Sequence, residues 1–136
     1  MARLTAEQKA ANKKKSEKKR KITLEEKRLR KIYEILPKDQ MAIADGLIRR
    51  AAFMRVTLED YEDDLGDKGS VEMFSQSAQA APYERVRPVA QLYNTLNKNY
   101  QSIIKQLTDM LPKPDPDMTA ADKDKDDGFD GFVNSR

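Results

Sequence analysis

Lys13, Lys14, Lys15, Lys18, Lys19, Arg20 and Lys21, followed by Lys27, Arg28, Arg30 and Lys31, set eleven cations within nineteen residues of a 136-residue chain. Each cation placed beside a phosphate releases condensed counterions, so this segment suits a polyanion. Histidine and cysteine are absent. That removes the usual general base near neutral pH, the Ser/His and Cys/His nucleophile pairs and the commonest metal ligands. The carboxylates that remain do not assemble a site. Glu59, Asp60, Glu62, Asp63, Asp64 and Asp67 form a solvated cluster near a helix end. Asp122, Asp124 and Asp126 begin like a calcium loop, but Asp127 stands at the turn glycine and Val133 at the bidentate glutamate. The expectation is no enzyme, no metal and no cofactor.

Charge is also sorted along the chain. Residues 1–31 carry a net +9, residues 32–111 a net −3 and residues 112–136 a net −3. An acidic tail is repelled by nucleic acid and better suits a protein partner. Within it, Phe129, Phe132 and Val133 sit among aspartates and glycines, the composition of a short docking motif. At 36% charged and 38% hydrophobic residues the chain is too polar for one large core. No apolar run is long enough to span a membrane and no apolar segment follows Met1 as in a secretory signal, so a soluble intracellular protein is expected.

These residues have to be positioned by helices. The chain reads as all-α: a basic flexible arm over 1–22, a helical oligomerisation domain over 23–111 and an acidic disordered tail over 112–136. Thr5 with Gln8 forms a weak capping box in the arm. Thr23-Leu24-Glu25-Glu26 predicts the start of a short helix over about 24–36, which Pro37 ends. Asp39 is placed to cap a long helix over about 40–65, with Gly66 and Gly69 marking its exit. Val71–Phe74 is the one strand-like run of the linker that follows. A second long helix is expected over about 83–111, starting nearer Arg87 if Pro88 takes its first turn.

Leu47, Ala51, Met54, Leu58, Tyr61 and Leu65 keep an unbroken heptad spacing on the first long helix. Val89, Tyr93, Leu96, Tyr100, Ile103 and Leu107 do the same on the second. In-phase seams joined by a linker predict a long antiparallel helical hairpin. Met41, Ile48, Ala52 and Val56 fall on a separate flank, to be covered by the preceding helix or by another copy. Gly46 is expected to allow a close backbone approach. Two helices with surplus apolar surface argue for a homo-oligomer.

Gly46-Leu47-Ile48, the run from Ala51 to Leu58, Val71-Glu72-Met73-Phe74, the run from Tyr83 to Pro88 and Leu92-Tyr93-Asn94-Thr95 resemble the terminase small subunits of tailed bacteriophages, over roughly residues 24–133. That resemblance implies a DNA-packaging recognition subunit in the host cell cytoplasm, usually an oligomeric ring. Such a subunit binds double-stranded viral DNA and recruits and regulates a separate large ATPase-nuclease subunit. The chain itself has no Walker A loop. Many members read DNA with an N-terminal helix-turn-helix, and the three-helix support for one is not evident here. Two other classes fit the same composition: an oligomeric nucleic-acid-binding chaperone or nucleoid-type protein, which needs no phenylalanine-bearing end, and a helical structural adaptor, which needs no basic segment.

Overall fold

A computed structural model describes residues 3–113; the rest of the acidic tail, with Phe129, Phe132 and Val133, lies outside the described residues. Three helices and one small sheet follow in the order α1 (Ala6–Ile32), α2 (Lys38–Lys68), β1 (Val71–Phe74), β2 (Tyr83–Val86) and α3 (Pro88–Met110).

The first departure from expectation is α1. It is one helix of 27 residues and runs through the boundary drawn at residue 22, so the basic segment is not a separate flexible arm. The Thr5 capping box is formed on both sides: Gln8 N–H donates to Thr5 Oγ1 at 3.1 Å, and Thr5 N–H donates to Gln8 Oε1 at 2.9 Å. Thr23, read as the cap of a separate helix, is an interior residue whose hydroxyl donates to the Lys19 carbonyl at 3.0 Å. A capping residue must itself leave the helical conformation, as Thr5 does at φ −69° and ψ 163°. No Gly or Pro interrupts the lysine, alanine and glutamate residues between Thr5 and Pro37, and these are good helix formers.

Tyr33 closes α1, with its N–H donating to the Leu29 carbonyl, and Pro37 is the residue that precedes α2. Asp39 therefore lies inside the first turn and makes no side-chain cap, though its charge favours that end of the helix dipole. Gly66 also lies within α2. Gly69 ends it, at φ 75° and ψ −177°, a region only glycine occupies without strain. Gly69→Ala should therefore cost roughly 1–3 kcal/mol. Gly66→Ala, which meets nothing within 4 Å, should stabilise by up to about 1 kcal/mol. Opposite shifts in the thermal midpoint check the pair.

β2 occupies residues expected in a helix. Pro88 takes the first position of α3, and a residue preceding proline is held in the extended region, which Arg87 adopts at φ −65° and ψ 140°. Extended backbone N-terminal to Pro88 can then pair with β1, in antiparallel register from Val71↔Val86 to Phe74↔Tyr83. One face of this hairpin carries the Arg85–Glu72 ion pair at 2.7 Å, with the Arg85 guanidinium 3.4 Å from the centre of the Phe74 ring and Tyr83 edge-on to Phe74. Val71, Met73 and Val86 lie on the other face, and all three are exposed.

α2 is the central element. Ala51 and Leu58 of its expected seam are buried, while Leu47, Met54, Tyr61 and Leu65 are half-buried. On α3, Leu107 is fully buried; Val89, Tyr93, Leu96, Tyr100 and Ile103 are half-buried. Ile48, Ala52 and Val56 are buried too. Ile48 and Ala52 share one cluster with Leu29, Tyr33 and Leu36, so α1 and its following turn cover that flank without another copy. The fully buried alanines 44, 51 and 52 let both neighbouring helices approach α2 closely. Gly46, in contrast, supports no close helix approach: a Cβ there would meet only the end of the Arg50 side chain.

The apolar cluster is concentrated at one end of the molecule. It holds Leu29, Tyr33, Leu36, Ala44, Ile48, Ala51, Ala52 and Leu107, with Met110 and Leu111 packed against it. The opposite end is joined largely by charge, and there the basic residues meet α2.

Candidate nucleic-acid interface

Charge complementarity explains why a lysine run stays helical here. Three carboxylates at the C-terminal end of α2, Asp60, Glu62 and Asp64, find partners on neighbouring elements. Lys18 lies 3.5 Å from Asp60 and 5.1 Å from the centre of the Phe53 ring. Lys14, Lys15 and Lys21 line the same groove, with Asp63 on its far wall. Arg87 donates to Asp64 and to the Gly69 carbonyl, both at 2.7 Å, and Tyr93 donates to Glu62 at 3.0 Å. That hydrogen bond raises Tyr93 above the ordinary tyrosine pKa. The acidic cluster thus ties α1, the hairpin and α3 to α2. Among the described residues no group of three His, Cys, Asp or Glu side chains is placed to hold a metal ion.

The same pairing divides the eleven basic residues named from the sequence. Arg28 donates to Glu25 at 2.6 Å, and Glu25 also lies 3.6 Å from Arg55 of α2. Arg30 donates to Asp45 at 2.8 Å and to Glu26 at 3.3 Å, and Arg49 approaches the other Asp45 oxygen at 3.3 Å. The hydrogen bonds to Glu25 and Asp45, respectively, raise the Arg28 and Arg30 pKa values. At Arg55 burial acts to lower the value, and Glu25 with Tyr100 outweighs it, so the net direction is again upward. Lys18 and Arg30 therefore form ion pairs across the α1–α2 joint, and Arg28 is engaged by Glu25 on its own helix. Lys13, Lys14, Lys15, Lys19, Arg20, Lys21, Lys27 and Lys31 are exposed and have no ion pair among the described residues.

Helical phase sorts these further. At about 100° per residue, Lys9, Lys13, Arg20, Lys27 and Lys31 fall within about 40° of one another, opposite the buried Leu29. They form a stripe about 33 Å long at 1.5 Å per residue. Lys19, Arg20 and Lys27 border a shallow depression on this face with Ser16, Thr23 and Leu24 between them. Lys9 was missed from the sequence, although its spacing of four from Lys13 shows the relation once residues 6–32 are one helix. The stripe is rigid, outward and uniform in sign. It presents a row of cations to a phosphate backbone and contains no catalytic group.

Three long helices do not make a compact helix-turn-helix: α1 and α2 have 27 and 31 residues and pack lengthwise. No helix among the described residues is long and apolar enough to cross a membrane. Comparison with protein-family models, with curated proteins and with solved structures finds no match to this chain.

Proposed function

We propose that the chain binds double-stranded DNA through the outward face of α1 and acts as the DNA-recognition subunit of a viral packaging machine, a terminase small subunit that recruits and regulates a large ATPase-nuclease subunit. The observation that carries the DNA contact is the stripe Lys9, Lys13, Arg20, Lys27 and Lys31 on one face of a single helix, without an ion pair among the described residues. Phosphate contacts of this kind give affinity and position without reading bases. The packaging role is supported by the resemblance of the α2, β1 and α3 segments and by the aromatic acidic end, where Phe129, Phe132 and Val133 are proposed to meet the large subunit.

Oligomerisation belongs to the same reading, but its support has moved. The flank of α2 that argued for another copy is covered by α1. What now argues for one is the exposed apolar face of the hairpin, Val71, Met73 and Val86, together with the half-buried seam of α3. A two-stranded sheet is marginal in water unless its apolar face is covered. A ring of copies joined antiparallel helix pair to antiparallel helix pair would cover it.

The test is binding to a duplex of arbitrary sequence, followed by fluorescence anisotropy over a range of salt. Five phosphate contacts predict a slope of log K against log salt of about −4.5. No binding at about 50 mM salt, or binding that ignores salt, overturns the reading.

A further inference from the structure

The face of α2 that neither α1 nor α3 covers carries a small apolar depression with two arginines on it. Gly46, Arg49, Arg50, Phe53 and Met54 line it. Phe53 is 51% exposed, and Ile43, one turn before Gly46, is 68% exposed. Arg50 donates only to the Gly46 carbonyl and has no carboxylate partner among the described residues. Lys18 lies 5.1 Å from the centre of the Phe53 ring; it is engaged by Asp60 and Arg49 by Asp45, which leaves Arg50 as the cation of the depression with no carboxylate partner among the described residues. An occupant of this depression has to supply apolar groups and negative charge together.

We infer that the occupant is the chain's own C-terminal segment Asp126–Val133, docking Phe129 and Phe132 on Phe53, Met54 and the open Gly46 position while Asp126, Asp127 and Asp130 face Arg49 and Arg50. The charges select it. The outward face of α1 is basic and is repelled by the arginines. The acidic end of α2 is already engaged by Lys18 and Arg87. The hairpin's apolar face carries Glu84, which repels the acidic segment. Residues 126–133 set two phenylalanines directly among aspartates.

Distance permits it. Met110 and Leu111 pack, as Met41 does, on the cluster that contains Ala44, so α3 ends beside the first turns of α2. The depression lies five to thirteen residues further along α2, about 8–20 Å at 1.5 Å per residue. Fifteen residues lie between Lys113 and Phe129, a reach of up to about 55 Å over the sixteen steps. A ligand tethered this way has an effective concentration in the millimolar range. Contacts too weak to hold a free peptide therefore suffice. Docked, the segment withholds its phenylalanines from other proteins, gives Arg50 a carboxylate partner and shares Arg49 with Asp45.

Tryptophan is absent from the chain, so Phe132→Trp in the full-length protein makes a single reporter. Its emission should be blue-shifted relative to a synthetic peptide of residues 120–136 bearing the same substitution, and the shift should persist on dilution. Adding Arg49→Glu and Arg50→Glu should weaken docking by at least about tenfold and return emission to the peptide's position. Both arginines are exposed, so far-UV circular dichroism should be unchanged. Phe53→Ser should have the same effect without altering charge. Emission equal to the peptide's in the otherwise unmutated chain overturns the inference. So does a blue shift that survives both variants, which places the segment elsewhere, or one that vanishes on dilution, which removes docking in cis. If charge reversal instead alters the sedimentation coefficient while emission stays at the peptide's position, the depression belongs to a second copy. The inference stands apart from DNA binding by α1, because no duplex enters the experiment.

Discussion

Leu107→Asp should abolish the cooperative thermal transition of the helical body, the largest stability loss expected from one substitution in this chain. Leu107 is fully buried in the cluster with Ala44, Ile48 and Ala51, where no cation is placed to pair with a new carboxylate. Burying an uncompensated charge costs several kcal/mol, and the removed isobutyl group leaves its own cavity. Against a total stability of about 5–15 kcal/mol, that is enough to unfold most of the population. Leu92→Asp is the control: it is on the same helix but 55% exposed, and should shift stability by no more than about 0.5 kcal/mol. Circular dichroism melting of the two variants gives the comparison. A Leu107→Asp protein that melts within a few degrees of the parent would place the core elsewhere.

The second large effect concerns the basic stripe. Replacing Lys9, Lys13, Arg20, Lys27 and Lys31 together by Ala should leave α1 helical, since alanine has the best helix propensity and none of the five makes an ion pair among the described residues. Duplex binding should lose about 0.9 unit of salt slope per contact, about 4.5 in all, and with it most of the affinity at low salt. Arg28→Ala with Arg30→Ala separates this from a general loss of charge. These two are engaged with Glu25, Glu26 and Asp45, so their removal should lower the melting temperature and change the salt slope little. A five-fold variant with the parent's slope would exclude the outward face as the contact and move attention to Arg49 and Arg50.

Local signals account for what could be read in advance. Pro37 and Pro88 fix chain direction at the ends of helices, whatever packs around them, because a proline ring constrains its own φ and the residue before it. The Thr5–Gln8 box was legible at separation three. So were the heptads that make Ala51, Leu58 and Leu107 core residues, and the strand character of Val71–Phe74. Where two local signals competed, the weaker-looking one prevailed: Thr23 heads a clearer capping sequence than Thr5, but a helix already propagating through it gains more from continuing than from restarting.

By itself, then, the sequence determined the helical class, the breaks at Pro37 and Pro88, the polarity of charge along the chain and the absence of His and Cys side chains. Only the tertiary structure decided which cations are free. Arg30 and Lys31 are adjacent in sequence and of like charge, yet Lys31 faces solvent and Arg30 is held by Asp45 of α2. The flank Ile48, Ala52 and Val56 looked equally ready for another copy until α1 covered it. β2 was hidden because its residues pair nine to fifteen positions back along the chain, from Phe74↔Tyr83 to Val71↔Val86, a relation no helical or strand period records. The reason is common to all three: periodicity reports which residues share a face of one element, whereas exposure and pairing depend on a second element that folds against it from far along the chain.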